Sequence, residues 1–249
     1  MKKLEAVIFD WAGTTVDYGC FAPVQAFAEV FKAFGIEPTM EEVREPMGML
    51  KRDHIKTMLA MPRIRTLWEE KYGRPSGETD IDSLYQMFEG KLMSILENFT
   101  DIKPGVLETV KVLREKGIAT GSTTGYTDGM MEIVVKKAEE HGYKPDAWFS
   151  PDSTNKLGRP YPYMIYRNME AFAVSSADGV VKVGDTVSDI KEGKSAGVFS
   201  IGIIEGSSEM GLSREEYDSL TGEEKSRRAA LVTAKYAEAG ADAVIHNMW

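Results

Sequence analysis

Four short segments of the sequence carry polar residues whose types suit the chemistry of phosphoryl groups and hard cations. They begin at Asp10, Ser122, Gly158 and Gly184. Carboxylates can attack phosphorus or hold a divalent cation, and an arginine can bind an anionic group through two donors. An aspartate at the end of a strand is more often a turn or capping residue, so no single segment identifies a site. The order and spacing of all four segments predict that they converge.

A second constellation lies in a segment with helical spacing. Met47, Lys51 and His54 are four and three residues apart, so they share one face if the helix begins near residues 46–48. The helix dipole and burial would both favour the neutral amine of Lys51. A neutral amine forms a Schiff base with an aldehyde, and an imine beta to phosphorus can accept the electrons of a breaking C–P bond. The alternative is a solvated lysine, a core methionine and a histidine without a chemical role.

Short apolar runs separated by helical patterns indicate the elements that position these residues. The runs span residues 4–9, 118–124, 180–186, 198–204 and 241–245. Two helical patterns, residues 104–117 and 191–197, end in glycine, as helices prefer. Strands that alternate with helices form a parallel sheet covered on both faces. We therefore predict an α/β fold with a Rossmann-like, doubly wound core.

Residues 20–100 differ from the rest of the chain because they show helical spacing and no convincing strand. An insert after the first strand lies over the carboxyl edge of the sheet, where such sheets bind ligands. We predict an inserted all-helical cap domain over residues 20–100 and a catalytic core formed by residues 1–19 and 101–249. The apolar stripe of PVQAFAEVFKAF would either contact a second subunit or pack within the cap.

The composition excludes several classes of protein. The chain has 249 residues, a net charge of −9 and 43% hydrophobic residues, which is typical of a folded globular protein. Its acidic character argues against a nucleic-acid partner, because duplex binding needs a basic surface. Cys20 is the single cysteine, and the sequence predicts neither a secretory signal nor a membrane span. We expect a cytoplasmic protein with a small-molecule substrate and no membrane partner.

The four polar segments resemble the motifs of the haloacid dehalogenase superfamily. VIFDWAGTT matches the first motif except at one position, and GDTVSD matches the acidic fourth motif, in the family's order along the chain. The resemblance implies that Asp10 is a nucleophile that forms an aspartyl-phosphate. It also implies a Mg²⁺ cofactor held by Asp10, the backbone carbonyl of Ala12 and Asp185. Asp189 would support these ligands without binding the metal directly.

One departure from the superfamily pattern bears on the leaving group. Phosphatases of this superfamily usually carry a second aspartate two positions after the nucleophile, where this chain has Ala12. That acid protonates an oxygen leaving group, so its absence disfavours ester substrates. A carbon leaving group would fit, because it needs an electron sink more than an acid.

Five segments together resemble the phosphonatase family of this superfamily, which combines that alanine with a Schiff-base lysine. They are AVIFDWAGTTVDYGCFAP, PMGMLKRDH, GSTTGYT, GRPYP and KVGDTVSD. The resemblance implies hydrolysis of the C–P bond of phosphonoacetaldehyde to acetaldehyde and phosphate, through an imine on Lys51 and an aspartyl-phosphate on Asp10. It also implies a homodimer formed through the cap.

The same resemblance implies which other residues bind the substrate or support the site. They are Met47, His54, Thr124, Gly125, Tyr126 and Arg159. Arg159 is expected to bind the phosphonyl group through two donors, which a lysine could not do. Thr124 is preferred to Thr123 as a ligand of the phosphonyl oxygens because a glycine follows it, as in the family motif.

Two other functions stay open at the level of the sequence. One is a magnesium-dependent phosphatase or phosphomutase of the same superfamily, although both normally need the acid that Ala12 replaces. The other is a non-catalytic phosphate-binding module that has kept the fold. A panel of sugar phosphates tests the first, and magnesium-dependent binding without turnover would favour the second.

Overall fold

One parallel β-sheet forms the centre of the molecule. The computed structural model describes residues 3–249, and within them six strands form this sheet. In chain order they are β1 (Ala6–Phe9), β2 (Ala119–Thr123), β3 (Ala147–Phe149), β4 (Val180–Gly184), β5 (Phe199–Ile203) and β6 (Ala243–Ile245). Their order across the sheet is β3-β2-β1-β4-β5-β6, and all neighbouring pairs are parallel. The sequence predicted all of them except β3, whose three residues at the sheet edge are too few to show a periodicity.

Helices cover both faces of the sheet. The α-helices of the described residues are α1 (Phe21–Ala33), α2 (Met40–Arg44), α3 (Lys51–Ala60), α4 (Pro62–Tyr72), α5 (Glu78–Ile95), α6 (Val106–Glu115), α7 (Asp128–Glu140), α8 (Tyr163–Ala171), α9 (Val187–Ala196), α10 (Arg214–Ser219) and α11 (Gly222–Glu238). Phe9 belongs to the core cluster that contains Val110 of α6, whereas Ile8 packs in the cluster of Ile165 of α8. Successive residues of β1 thus face opposite layers, as a doubly wound sheet requires. None of the helices within residues 3–249 is long and apolar enough to cross a membrane.

The helical character of the insert is confirmed. Helices α1–α5 lie between β1 and α6, and no described residue from 20 to 100 belongs to a strand. The apolar stripe of α1 packs within this helical block, where Phe27 and Phe31 are fully buried and the Phe27 ring stacks on Phe88 at 4.1 Å. The limits of the cap at residues 20 and 100 stay a prediction.

A buried carboxylate accepts hydrogen bonds from the first backbone amides of helix α1. Cys20, which precedes the helix, has a φ of 54° and provides no side-chain cap. Instead, Asp17 accepts hydrogen bonds from the amides of Phe21 at 2.9 Å and Ala22 at 3.0 Å. Burial raises the pKa of Asp17 to about 7. These two bonds satisfy orphan donors of the helix and fix the direction in which the chain leaves the core.

The helix that carries Lys51 begins later than the sequence predicts. Helix α3 starts at Lys51 itself, so Met47 does not share a helix face with Lys51 and His54, contrary to the prediction. The reason lies at Gly48, whose φ of 84° is incompatible with a helix and whose Cβ, if present, would overlap Thr186 of the core. Lys51 is therefore the first helical residue, at the positive end of the helix dipole.

Candidate active site

The carboxyl ends of three central strands bring the predicted segments together. Asp10 follows β1, Thr124 follows β2 and Asp185 follows β4, while Arg159 comes from the loop between β3 and α8. These residues and part of the helical insert line a small cavity of about 20 Å³. The predicted site residues that line it are Asp10, Ala12, Met47, Lys51, Thr124, Gly125, Tyr126, Arg159 and Asp185. A larger groove of about 490 Å³ lies beside α2, but neither Asp10 nor Asp185 lines it.

Asp10 and Arg159 face each other inside this cavity. An Nη2 proton of Arg159 is donated to Asp10 Oδ1 at 2.5 Å, and the same nitrogen lies 3.1 Å from the carbonyl oxygen of Thr123. Both side chains are almost completely buried. Burial raises the pKa of Asp10, while the charge of Arg159 opposes that rise. A charged Asp10 therefore depends on cations around it.

A buried network of charged and polar side chains binds Arg159. Arg159 Nε donates to Glu192 Oε2 at 3.0 Å. Lys182 Nζ lies 2.9 Å from Asp189 Oδ1 and 3.3 Å from the same Glu192 oxygen, and it donates to Thr123 Oγ1 at 2.8 Å. Charge-assisted bonds of this kind restrict the guanidinium to one orientation. The pKa of Asp189 is lowered by Arg159 and Lys182, although burial opposes that change.

The sequence analysis missed Lys182 and Glu192, although the sequence contains a signal for each. Lys182 interrupts the apolar run of β4, where a charged residue must find a buried partner. Glu192 lies three residues after Asp189 on α9, so both carboxylates share a helix face. Cys20 also lines the cavity and was not predicted to do so.

Asp185 is a buried carboxylate, and no lysine, arginine or histidine nitrogen of residues 3–249 lies within 4.0 Å of its oxygens. Its oxygens accept hydrogen bonds from the amide of Ser208 at 2.7 Å and the hydroxyl of Thr14 at 3.0 Å. Burial, and then the negative charge of Asp10, raise its pKa well above the usual value. Carboxylate oxygens of Asp10, Asp185 and Asp189 lie within 4.8 Å of one another. A cluster of buried carboxylate oxygens in which Asp185 has no cationic partner within 4.0 Å among residues 3–249 fits a hard divalent cation.

The turn after β1 shapes the space beside this cluster. Gly13 has a φ of 89°, and a Cβ at this position would overlap the Asp185 carboxylate. A glycine is therefore required for the close approach of the two segments. Ala12 places only a methyl group next to the cavity at the position where superfamily phosphatases carry an acid.

Lys51 enters the cavity from the insert and has aromatic neighbours. Its side chain is 5% exposed, and Nζ lies 5.1 Å from the ring centre of Tyr126 and 5.9 Å from that of Phe27. No carboxylate within the described residues forms an ion pair with this amine at 4 Å or less. Burial lowers the pKa of Lys51, and the charge of Arg159 adds to this effect while Cys20 and Asp10 oppose it. The site thus favours the neutral, nucleophilic amine.

The remaining predicted residues differ in their distance from the cavity. His54 does not line it; the ring stacks on Phe27 at 3.8 Å, and Nε2 lies 2.9 Å from the carbonyl oxygen of Val43. Asp189 also lies behind the lining, where its carboxylate accepts a hydrogen bond from the Thr186 hydroxyl at 2.6 Å. The Tyr126 hydroxyl is buried, and none of the described residues forms a hydrogen bond with it. The roles of these residues stay predictions.

Comparisons with known proteins first define the class to which this fold and site belong. Residues 4–197 match the family model of the haloacid dehalogenase-like hydrolases. The crystal structure of a phosphonoacetaldehyde hydrolase-like protein from Oleispira antarctica is similar, with a TM-score of 0.95 and 38% identity. The match covers 99% of this chain and 89% of that one.

Two curated relatives narrow the class. The phosphonoacetaldehyde hydrolase of Lysinibacillus sphaericus (strain C3-41) is 52% identical, over 99% of this chain and 91% of that protein. The bifunctional phosphonoacetaldehyde hydrolase/aminoethylphosphonate transaminase of Clostridioides difficile (strain 630) is 50% identical, over 99% of this chain but only 39% of its own length. The chain belongs to the phosphonoacetaldehyde hydrolase family of the haloacid dehalogenase-like hydrolases.

Proposed function

We propose that this protein hydrolyses the C–P bond of phosphonoacetaldehyde, giving acetaldehyde and phosphate. The observation that carries the proposal is that Asp10 of the core and Lys51 of the helical insert, a carboxylate and an amine of lowered pKa, line one small cavity. Ala12 supports it, because an enzyme for phosphate esters would need an acid at that position. The names of the relatives at about 50% identity agree with this substrate.

We infer that Mg²⁺ is the cofactor and that Asp10, the Ala12 carbonyl and Asp185 hold it, with Asp189 behind them. The fit rests on the buried oxygen cluster and on the absence of an ion pair to Asp185 among residues 3–249. When bound there, Mg²⁺ would offset the repulsion between the Asp10 carboxylate and the anionic phosphonyl group.

Lys51 begins the reaction. Its neutral amine adds to the aldehyde carbon to give a carbinolamine, which takes up one proton from solvent and loses water, leaving an imine that is protonated on nitrogen. The buried position favours this step, because burial lowers the pKa of Lys51 and so increases the neutral fraction of the amine. The iminium then withdraws electrons from the neighbouring C–P bond.

Asp10 completes the cleavage. Its carboxylate oxygen attacks phosphorus while the C–P electron pair moves into the iminium, so an aspartyl-phosphate and an enamine on Lys51 form together. Arg159 would bind the phosphonyl oxygens with Thr124 and the amides around Gly125. The enamine takes a proton on carbon, and one water hydrolyses the resulting imine to acetaldehyde and free Lys51. A second water cleaves the aspartyl-phosphate, which releases phosphate and restores Asp10.

The insert acts in this proposal as a cap, with residues 20–100 excluding water from the imine. Met47, His54 and Tyr126 would shape the site or move protons.

We also propose a homodimer formed through the cap, and a cytoplasmic location. The apolar stripe of α1 is buried within its own chain, so the dimer contact would use other cap residues, such as the exposed Met87 and Met93 of α5. Light scattering during size-exclusion chromatography tests the dimer.

The direct test of the function is the release of both products from phosphonoacetaldehyde. We expect acetaldehyde, measured with alcohol dehydrogenase, and phosphate in equal amounts, and only when Mg²⁺ is present. Folded protein that binds Mg²⁺ but hydrolyses sugar phosphates or phosphoglycolate instead would contradict the proposal. Binding of phosphate without any turnover would show a binding module.

A further inference from the structure

The loop formed by residues 205–208, between β5 and α10, anchors both connections between the sheet and the helical insert. On the first connection, the amide of Gly19 donates to the carbonyl oxygen of Gly206 at 2.8 Å. On the second, Lys103 Nζ donates to the carbonyl oxygen of Glu205 at 2.7 Å. Both points where the chain passes between core and insert are therefore hydrogen-bonded to one short loop.

The same loop contacts a carboxylate of the proposed magnesium site. The amide of Ser208 donates to Asp185 Oδ2 at 2.7 Å, and Ser208 is buried. Thr14 donates to the other oxygen, Oδ1, at 3.0 Å. A displacement of the Ser208 amide would therefore release or rotate the Asp185 carboxylate.

One arginine of the insert holds this loop. Arg44, the last residue of α2, donates from Nη1 to the carbonyl oxygens of Gly19 at 2.9 Å and Ser208 at 3.3 Å. Its guanidinium also lies over the Phe21 ring, 4.9 Å from the ring centre. One side chain thus joins α2, the first connection and the loop that reaches Asp185.

We propose that Arg44 is a positioning residue that fixes the magnesium ligand Asp185 through Ser208, so that the geometry of the metal site depends on the position of α2. The inference rests on the proposed magnesium site but not on the identity of the substrate. A planar guanidinium suits the role, because it binds carbonyl oxygens of two segments and packs on an aromatic ring at once.

The test measures Mg²⁺ binding to the substrate-free protein by isothermal titration calorimetry. Arg44→Met should weaken Mg²⁺ binding about tenfold, the lower end of the effect of groups that orient metal ligands. Arg44→Lys, which keeps one charged donor, should recover part of this loss. Arg63→Met is the matched control, because Arg63 holds the same helix through Glu42 but its hydrogen bonds go to Glu37 and Glu42 within the insert.

The outcomes separate positioning from a general loosening of the insert. Weaker Mg²⁺ binding in Arg44→Met together with unchanged binding in Arg63→Met supports the proposal. Wild-type affinity in a folded Arg44→Met protein, or equal losses in both variants, overturns it. If wild-type protein binds Mg²⁺ but does not cleave phosphonoacetaldehyde, the proposed function fails while the role of Arg44 is still measured. If folded wild-type protein binds no Mg²⁺, the role of Arg44 is rejected with the metal site.

Discussion

Two buried lysines, one in the core and one in the helical insert, differ in what surrounds them. Lys182 of β4 is fully buried and pairs with Asp189 and Glu192, so its charge is neutralised by carboxylates. Lys51 of α3 is almost as buried, but its amine lies over the rings of Tyr126 and Phe27 and forms no ion pair with a described carboxylate. The core therefore stabilises a charge that holds Arg159, whereas the insert favours an amine that can lose its charge.

The difference teaches how one cavity can hold two kinds of reactivity. Phosphoryl transfer needs fixed charges, and the core supplies them as a connected network around Asp10 and Arg159. Imine formation needs an uncharged nucleophile, and a desolvated helix start supplies it. Because the two requirements conflict, the structure meets them with residues from different regions of the chain.

The largest effect is expected from the core nucleophile. Asp10→Asn should reduce acetaldehyde release by about 10⁴-fold or more, since no other group in the proposal can attack phosphorus. It should equally abolish hydrolysis of an activated substrate such as acetyl phosphate. Steady-state assays with both substrates, together with circular dichroism to verify folding, provide the measurement. Substantial acetaldehyde release by the folded variant would show that Asp10 is not the nucleophile.

Lys51→Met should separate the two regions. The variant should lose C–P cleavage by about 10⁴-fold, because no electron sink replaces the imine. Any acetyl phosphate hydrolysis by the wild-type protein should stay within about tenfold in the variant, because that leaving group needs neither sink nor acid. Lys51→Arg is a control that keeps a cation without forming an imine, and it should behave alike towards phosphonoacetaldehyde. Equal loss of both activities in the folded Met variant would mean that Lys51 also serves phosphoryl transfer.

Removal of a charge from the buried core network should lower the stability of the protein. Lys182→Met should destabilise the protein by about 3–5 kcal/mol, because it leaves Asp189 and Glu192 buried with less positive charge. Adding Glu192→Leu should restore part of that loss, with a coupling of about 1–3 kcal/mol. Urea unfolding of the two single variants and the double variant measures the coupling. Strictly additive effects would argue against a functional pairing of the two side chains.

The smallest effect should have the opposite sign. Lys51→Met should stabilise the protein by about 0.5–2 kcal/mol at neutral pH, because it removes the cost of burying an amine. Since burial lowers the pKa of Lys51 in the folded state, the unfolded chain binds its proton first as the pH falls through about 10.4. Below that pH, the wild-type protein is therefore less stable than it is at high pH, whereas the variant has no such proton to bind. The difference in free energy of unfolding in favour of Lys51→Met should be larger at pH 8 than above pH 10.5. Paired calorimetric scans measure it, and a pH-independent difference would contradict a lowered pKa.

The sheet and the convergence of its polar ends follow from the sequence because they depend on local patterns. Apolar runs ending in Asp10, Thr124 and Asp185 place these residues at one edge once the strands are parallel. The late start of α3 was missed because it depends on a contact between Gly48 and Thr186, which are far apart in the chain. Local spacing carries no information about such a contact.

The network behind the site was missed for a related reason. The sequence shows that Lys182 and Glu192 occupy buried elements, but only the packing of α9 on β4 brings their charges together with Arg159. The opposite holds for Lys51, whose predicted proximity to the polar edge agrees with the cavity that it shares with Asp10.

The central claim is that an imine on Lys51 and attack by Asp10 act on the same substrate molecule. Borohydride reduction in the presence of phosphonoacetaldehyde, followed by peptide mass spectrometry, tests it most directly. We predict an N-ethyl group on Lys51 in the wild-type protein, because the C–P bond has already broken. In Asp10→Asn the same lysine should carry an N-phosphonoethyl group, because the imine forms but the bond cannot break. Wild-type protein that releases acetaldehyde but carries no adduct on Lys51 would contradict the account.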